Sequence, residues 1–162
     1  MTKNLSSPPK KYQQVKADMK EAFETIIDKF GLSVNSDMLL TTLVKESGFD
    51  YFSKKAKDII GDGGFSLGYM QISPYAVKDV NKAYASNYTD NDRNDNYLNL
   101  VIGSLFLNVC FLSAIKLMAK DPIFLAYKKY NGGNDETETS KNDMASIYAN
   151  DCIKIYNQFK EL

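Results

Sequence analysis

The sequence predicts a mainly α-helical single domain, with one short irregular segment that holds turns and a small hairpin. Three observations carry this. Apolar residues recur at helical spacing through most of the chain. Four of its nine glycines, Gly61, Gly63, Gly64 and Gly68, crowd together and break that pattern. The pairs Ser73-Pro74 and Asp121-Pro122 read as a capping residue followed by proline at the first helical position. At 162 residues, with 44% hydrophobic and 12% aromatic side chains, the chain can fill one core. It shows no internal repeat or linker. The expected organisation is a polar arm at residues 1–9, ending in Pro8-Pro9, and one domain over residues 10–162.

The elements follow in order. A helix over about residues 10–30 places Val15, Met19, Phe23, Ile26, Ile27 and Phe30 on one face and stops at Gly31. A second starts with Asn35 or Ser36 as N-cap, runs through Met38, Leu39, Leu40, Leu43 and Val44, and stops at Gly48, which leaves Glu46 in its last turn. Residues 50–72 form the irregular loop and hairpin region, of the kind that builds clefts. Ser73 and Pro74 open a third helix to about residue 84, and polar residues 86–96 form a surface loop. Residues 98–119 are the most apolar run, yet Asn99, Ser104, Asn108, Ser113 and Lys116 interrupt it, which predicts a buried central helix instead of a membrane span. A short helix from Asp121-Pro122 to Tyr130, a polar loop over 132–142 and an amphipathic helix over 145–159 complete the chain.

Composition narrows the chemistry. Twenty Lys and Arg offset twenty Asp and Glu, so the chain lacks the basic excess that nucleic-acid binding needs. It contains no histidine, which excludes Ser-His-Asp and Cys-His triads and His-ligated zinc hydrolases. Carboxylates remain, and glycoside hydrolysis is the reaction class that runs on Asp and Glu alone. No metal or organic cofactor is implied. Cys110 and Cys152 sit among apolar helical residues and read as small buried thiols, with a disulfide between them as the alternative. The first thirty residues have neither an uninterrupted apolar core nor a small-residue cleavage site, so a secretion signal is not expected.

Three ordered segments carry the functional reading: Glu46-Ser47-Gly48-Phe49, then residues 61–73 with Ser66-Leu67-Gly68-Tyr69-Met70-Gln71-Ile72-Ser73, then Lys129-Tyr130-Asn131-Gly132-Gly133. A fourth, Tyr148-Ala149-Asn150-Asp151, follows in the last helix. Together they resemble the active-site blocks of goose-type lysozymes and soluble lytic transglycosylases: the acid at a helix end, the Gly-Leu-Met-Gln block, the Ala-Tyr-Asn-Ala-Gly turn and the Tyr-Ser-Asn-Asp stretch. Lys129 and Gly132 stand where those families usually have alanines. The resemblance spans roughly residues 35–160 and implies a lysozyme-like fold and cleavage of peptidoglycan between N-acetylmuramic acid and N-acetylglucosamine.

That resemblance also implies roles. Glu46 is the general acid, a part its place at the negative end of a helix and beside Leu43 and Phe49 suits, since both raise a carboxyl pKa. Ser47, Gly68, Tyr69, Gln71, Ser73, Tyr130, Asn131 and Tyr148 bind the glycan or the acid, with Tyr148 reaching toward Glu46, while Met70 and Ile72 pack inward. Asp62 stands where goose-type enzymes keep a water-positioning aspartate. An inverting mechanism separates such a pair by roughly 6.5 to 9.5 Å. Asp62 as a turn cap and Ser73 as an N-cap are the plain alternatives. Ser73 also occupies a position that is often aspartate in goose-type enzymes, which keeps open a lytic transglycosylase forming 1,6-anhydro ends. A catalytically inactive glycan-binding module is a third reading. The expected setting is a monomeric lysin of phage or bacterial type, reaching the wall through a membrane pore, with glycan strands as its partner and no stable membrane insertion.

Overall fold

The structure, a computed structural model, describes residues 10–162. The polar arm expected at residues 1–9 lies outside the described residues. Six helices carry the fold: α1 (Lys10–Phe30), α2 (Ser36–Ser47), α3 (Pro74–Tyr84), α4 (Asn96–Lys116), α5 (Pro122–Gly132) and α6 (Asp143–Lys160). Between α2 and α3 a two-stranded antiparallel hairpin pairs β1 (Ile60–Gly61) with β2 (Ser66–Leu67), Ile60 opposite Leu67. The mainly helical single domain read from the sequence is the observed architecture.

Caps fix the boundaries. The side chains of Asn35, Ser73, Asp95, Asp121 and Asn142 accept hydrogen bonds from backbone N–H groups in the first turns of α2 to α6, satisfying donors that a helix start leaves orphaned. Gly48, at φ +61°, ends α2 and returns its N–H to the Val44 carbonyl. Several details differ from the sequence reading: the central helix α4 starts at Asn96 and ends at Lys116, short of the 98–119 run. α5 runs past Tyr130 to Gly132, so Gly133 at φ +99° makes the cap. The surface loop before α4 holds a short 3-10 turn at Asp90–Asn94, opened by reciprocal hydrogen bonds between Thr89 and Asp92.

α4 is the buried centre, packed against α1, α3 and α5, while α6 packs on α5 and α2. Its most apolar stretch has a mean hydropathy of 2.1, and two thirds of that stretch (67%) is buried inside the domain, where it serves as the core. Two of the polar residues that interrupt it, Asn99 and Asn108, act as bolts. Asn99 accepts from the Met70 N–H at 3.0 Å and donates to the carbonyls of Leu67 at 3.0 Å and Arg93 at 2.8 Å. Asn108 accepts from the N–H groups of Ser33 and Val34 and donates to the Tyr84 hydroxyl at 2.8 Å. Buried amides satisfied this fully position loops without the cost of an unpaired polar group. Cys110 and Cys152 are both buried free thiols, and burial pushes the pKa of each upward.

Candidate active site

α2 delivers Glu46 to a cleft of about 540 Å³ whose walls come from the hairpin region, the start of α3, the end of α5 and α6. The cleft brings together Glu46, Asp62, Gln71, Ser73, Tyr130, Asn131 and Tyr148 from the residues singled out in the sequence. Ser47, Gly68 and Tyr69 are not part of that lining. The Ser47 hydroxyl turns back to donate to the Leu43 carbonyl at 3.1 Å. Tyr69 is buried and donates to the Lys54 carbonyl at 2.8 Å. Gly68, at φ +84°, is required because a Cβ there would collide with the Asn99 amide. Ser47 thus closes the last turn of α2, and Gly68 and Tyr69 build the loop that carries the site.

Glu46 makes the central contact. The buried Tyr148 hydroxyl donates a short hydrogen bond to Glu46 Oε1. Next to it Lys45 and Asp151 pair at 3.0 Å, tying α2 to α6, and the Lys45 ammonium lies 5.5 Å from the centre of the Tyr148 ring. Burial among protein atoms raises the Glu46 pKa from 4.5 to about 7. The Tyr148 hydrogen bond and the Lys45 charge oppose that rise, while the negative charge of Asp62 adds to it. Burial and the Glu46 charge hold the Tyr148 phenol well above its ordinary range, so it stays a neutral donor. The result is a carboxylic acid able to give up a proton near neutral pH, with its orientation fixed by one partner.

Other expected groups are present in narrower roles. The Tyr130 hydroxyl donates to the Met70 carbonyl at 2.7 Å, so it ties α5 to the hairpin region and offers the cleft its ring, 5.0 Å from that of Phe106. Gln71, at φ +47°, spends its amide N–H groups on the carbonyls of Gly68 at 2.8 Å and Ile59 at 3.3 Å. Gly61 leaves room for it, since a Cβ there would meet the Gln71 amide. Met70 and Ile72 face the core. Ser73 accepts from the Ala76 N–H at 3.2 Å and is thus the N-cap of α3. Asn131 is exposed at the rim. Asp62 is exposed at φ +50°, and its carboxylate accepts only a long 3.4 Å hydrogen bond from Ser66, among the described residues.

Sequence reasoning missed several lining groups. Lys45, Phe65, Ser66, Tyr75, Asp79, Phe106, Gly132 and Gly133 also face the cleft. Phe106 carried the signal of a buried core helix, and Phe65 and Tyr75 lay inside segments read for their glycines and caps. The rim beyond α5 is organised by two lysines that are 0% and 1% exposed. Lys128 donates to the carbonyls of Thr137 at 2.8 Å and Ser140 at 2.7 Å and pairs with Glu136 at 3.6 Å, while Lys129 donates to the Asn134 carbonyl. Gly132 lets this loop close in, because a Cβ there would meet Glu136 and Ala145. Asn134 then donates to Asp79 at 2.7 Å, joining the loop to α3. Among the described residues, no cluster of His, Cys, Asp and Glu has the form of a metal site. No protein-family model matches the chain and no curated protein matches it.

Proposed function

We propose that the chain is a peptidoglycan-cleaving glycosidase, a muramidase that cuts the β-1,4 bond between N-acetylmuramic acid and N-acetylglucosamine. One observation carries the reading: Glu46 lines an open cleft with its pKa lifted to about 7 and its carboxyl oriented by Tyr148. A glycoside has a poor leaving group, so cleavage needs an acid that is still protonated near neutral pH. Glu46 gives its proton to the glycosidic oxygen as the bond to the anomeric carbon breaks. The carboxylate left behind is stabilised by the Tyr148 hydroxyl and the nearby Lys45 charge. Asp62, in the same cleft, is the carboxylate available to orient an attacking water.

A second reading concerns the attacking group. The loose tethering of Asp62 and the use of Ser73 as a helix cap favour attack by the muramic acid C6 hydroxyl, which makes a 1,6-anhydro end. One experiment separates these outcomes: purified peptidoglycan is incubated with wild type and Glu46→Gln, and the released muropeptides are identified by mass without chemical reduction. Reducing muramic ends made by wild type alone establish hydrolysis through Glu46. Ends lighter by one water establish a lytic transglycosylase, and no release by either protein overturns catalysis in favour of a glycan-binding module.

A further inference from the structure

Two large aromatic rings stand open to water at the cleft. Phe65 is 44% and Tyr75 66% exposed, both line the cleft, and their ring centres lie 5.7 Å apart with planes inclined at 59°. They come from different elements, Phe65 from the hairpin turn ahead of β2 and Tyr75 from the first turn of α3. The Phe65 backbone is nevertheless clamped to the segment that leads into α3. Arg93, only 6% exposed, donates from Nη1 to the carbonyls of Phe65 and Ile72, each at 2.9 Å, and from Nε to the Asp90 carbonyl at 3.0 Å. Ser73 fixes the first turn of α3 that presents Tyr75. A buried guanidinium satisfied by three carbonyls is a costly device, and here it fixes the loop bearing an aromatic ring that contributes little to the core.

We propose that Phe65 and Tyr75 form a stacking platform for a β-1,4-linked amino sugar of the glycan strand, on a subsite separate from the bond that Glu46 cleaves. This rests on the muramidase reading above. The chemistry of the cleft matches such a ligand. A pyranose ring has an apolar C–H face for an aromatic surface and an equatorial belt of hydroxyl and acetamido groups, which Ser66, Asp62 and Asp79 face from the same cleft. Aromatic side chains also lose little rotamer freedom on binding, so a clamped pair is ready to bind without rearrangement.

The test uses the full chain carrying Glu46→Gln, which holds substrate without turning it over, titrated calorimetrically with chito-oligosaccharides, which carry no peptide. Covering the exposed half of one such ring is worth about tenfold in affinity. Phe65→Ala and Tyr75→Ala are each expected to weaken binding of long oligomers about tenfold and to leave short ones unchanged. Phe65→Tyr and Tyr75→Trp are expected to keep the parent's affinity, which separates stacking from damage to the fold. Equal affinity of parent and alanine variants for long oligomers overturns the platform and leaves the muramidase reading intact. If the parent binds no oligomer the platform is overturned as well, and muropeptide release by wild type then decides whether the muramidase reading falls with it.

Discussion

Glu46→Gln is expected to make the folded protein more stable at alkaline pH even as it removes the proposed acid. The size of the effect follows from the surroundings of the carboxyl. In the open chain Glu46 ionises near 4.5, and in the folded protein near 7, chiefly because burial disfavours the charge. Below pH 4.5 both states are protonated and the carboxyl leaves stability unaffected. As pH rises from 4.5 to 7 the unfolded chain ionises first, so wild type progressively loses stability, and above 7 the loss is complete. At roughly 1.4 kcal/mol per pH unit between the two values, the loss is at most about 3 kcal/mol. Glutamine has nearly the same shape, can still accept from Tyr148, and cannot ionise. Urea unfolding of both proteins at pH 4 and pH 8 should show equal stability at the lower pH and a gain of up to about 3 kcal/mol for the variant at the higher. That gain corresponds to about 9 °C in Tm for a domain of this size. A gap of the same size at both pH values, or a variant that is less stable at pH 8, would refute a buried carboxyl with a raised pKa.

Two further substitutions are expected to move the pH profile of cleavage in opposite directions. Tyr148→Phe removes a hydrogen bond that favours the ionised Glu46, so the falling alkaline limb should shift to higher pH. Asp62→Asn removes a charge that favours the protonated form, so the limb should shift to lower pH, and pH–rate curves on solubilised peptidoglycan check both signs. If Asp62 also positions water, Asp62→Asn lowers the hydrolysis rate by about a hundredfold, and a near-normal rate makes it a turn residue only. Asn99→Ala orphans the Met70 N–H and the Arg93 carbonyl in a buried setting and takes one of two donors from the Leu67 carbonyl, which keeps the Ile72 N–H, with an expected loss of about 3 kcal/mol in urea unfolding. A loss below about 1 kcal/mol would mean that water replaces the amide.

Helix boundaries were legible in the sequence because each is marked by local chemistry. Asn35, Ser73-Pro74, Asp121-Pro122 and Gly48 act through bonds within a few residues of themselves, and their effect needs no knowledge of the rest of the chain. Glu46 and Tyr148, 102 positions apart, could be paired only through resemblance to known active sites. The direction of side chains in the hairpin region was not legible, because Asn99 and Arg93, from beyond α3, decide it. Sequence alone therefore points to Gly68 and Tyr69 as ligand contacts and does not distinguish Phe65 and Tyr75, which line the cleft. Lys129 fits a nearly fully buried position because its ammonium reaches a loop carbonyl, an outcome composition alone does not reveal.

The lysine-centred rim gives the cleft a mechanical character. A loop packed on methyl groups can slacken by degrees, each small gap costing a little dispersion energy. The segment beyond α5 is wound instead around the Lys128 ammonium, whose carbonyl and carboxylate partners leave it little access to water. Losing one of those contacts strands a dehydrated cation, so the loop holds its shape until it gives way as a unit. It behaves as a latch more than a spring, and the aperture of the cleft is therefore set before any ligand arrives, which makes width a filter on what can enter.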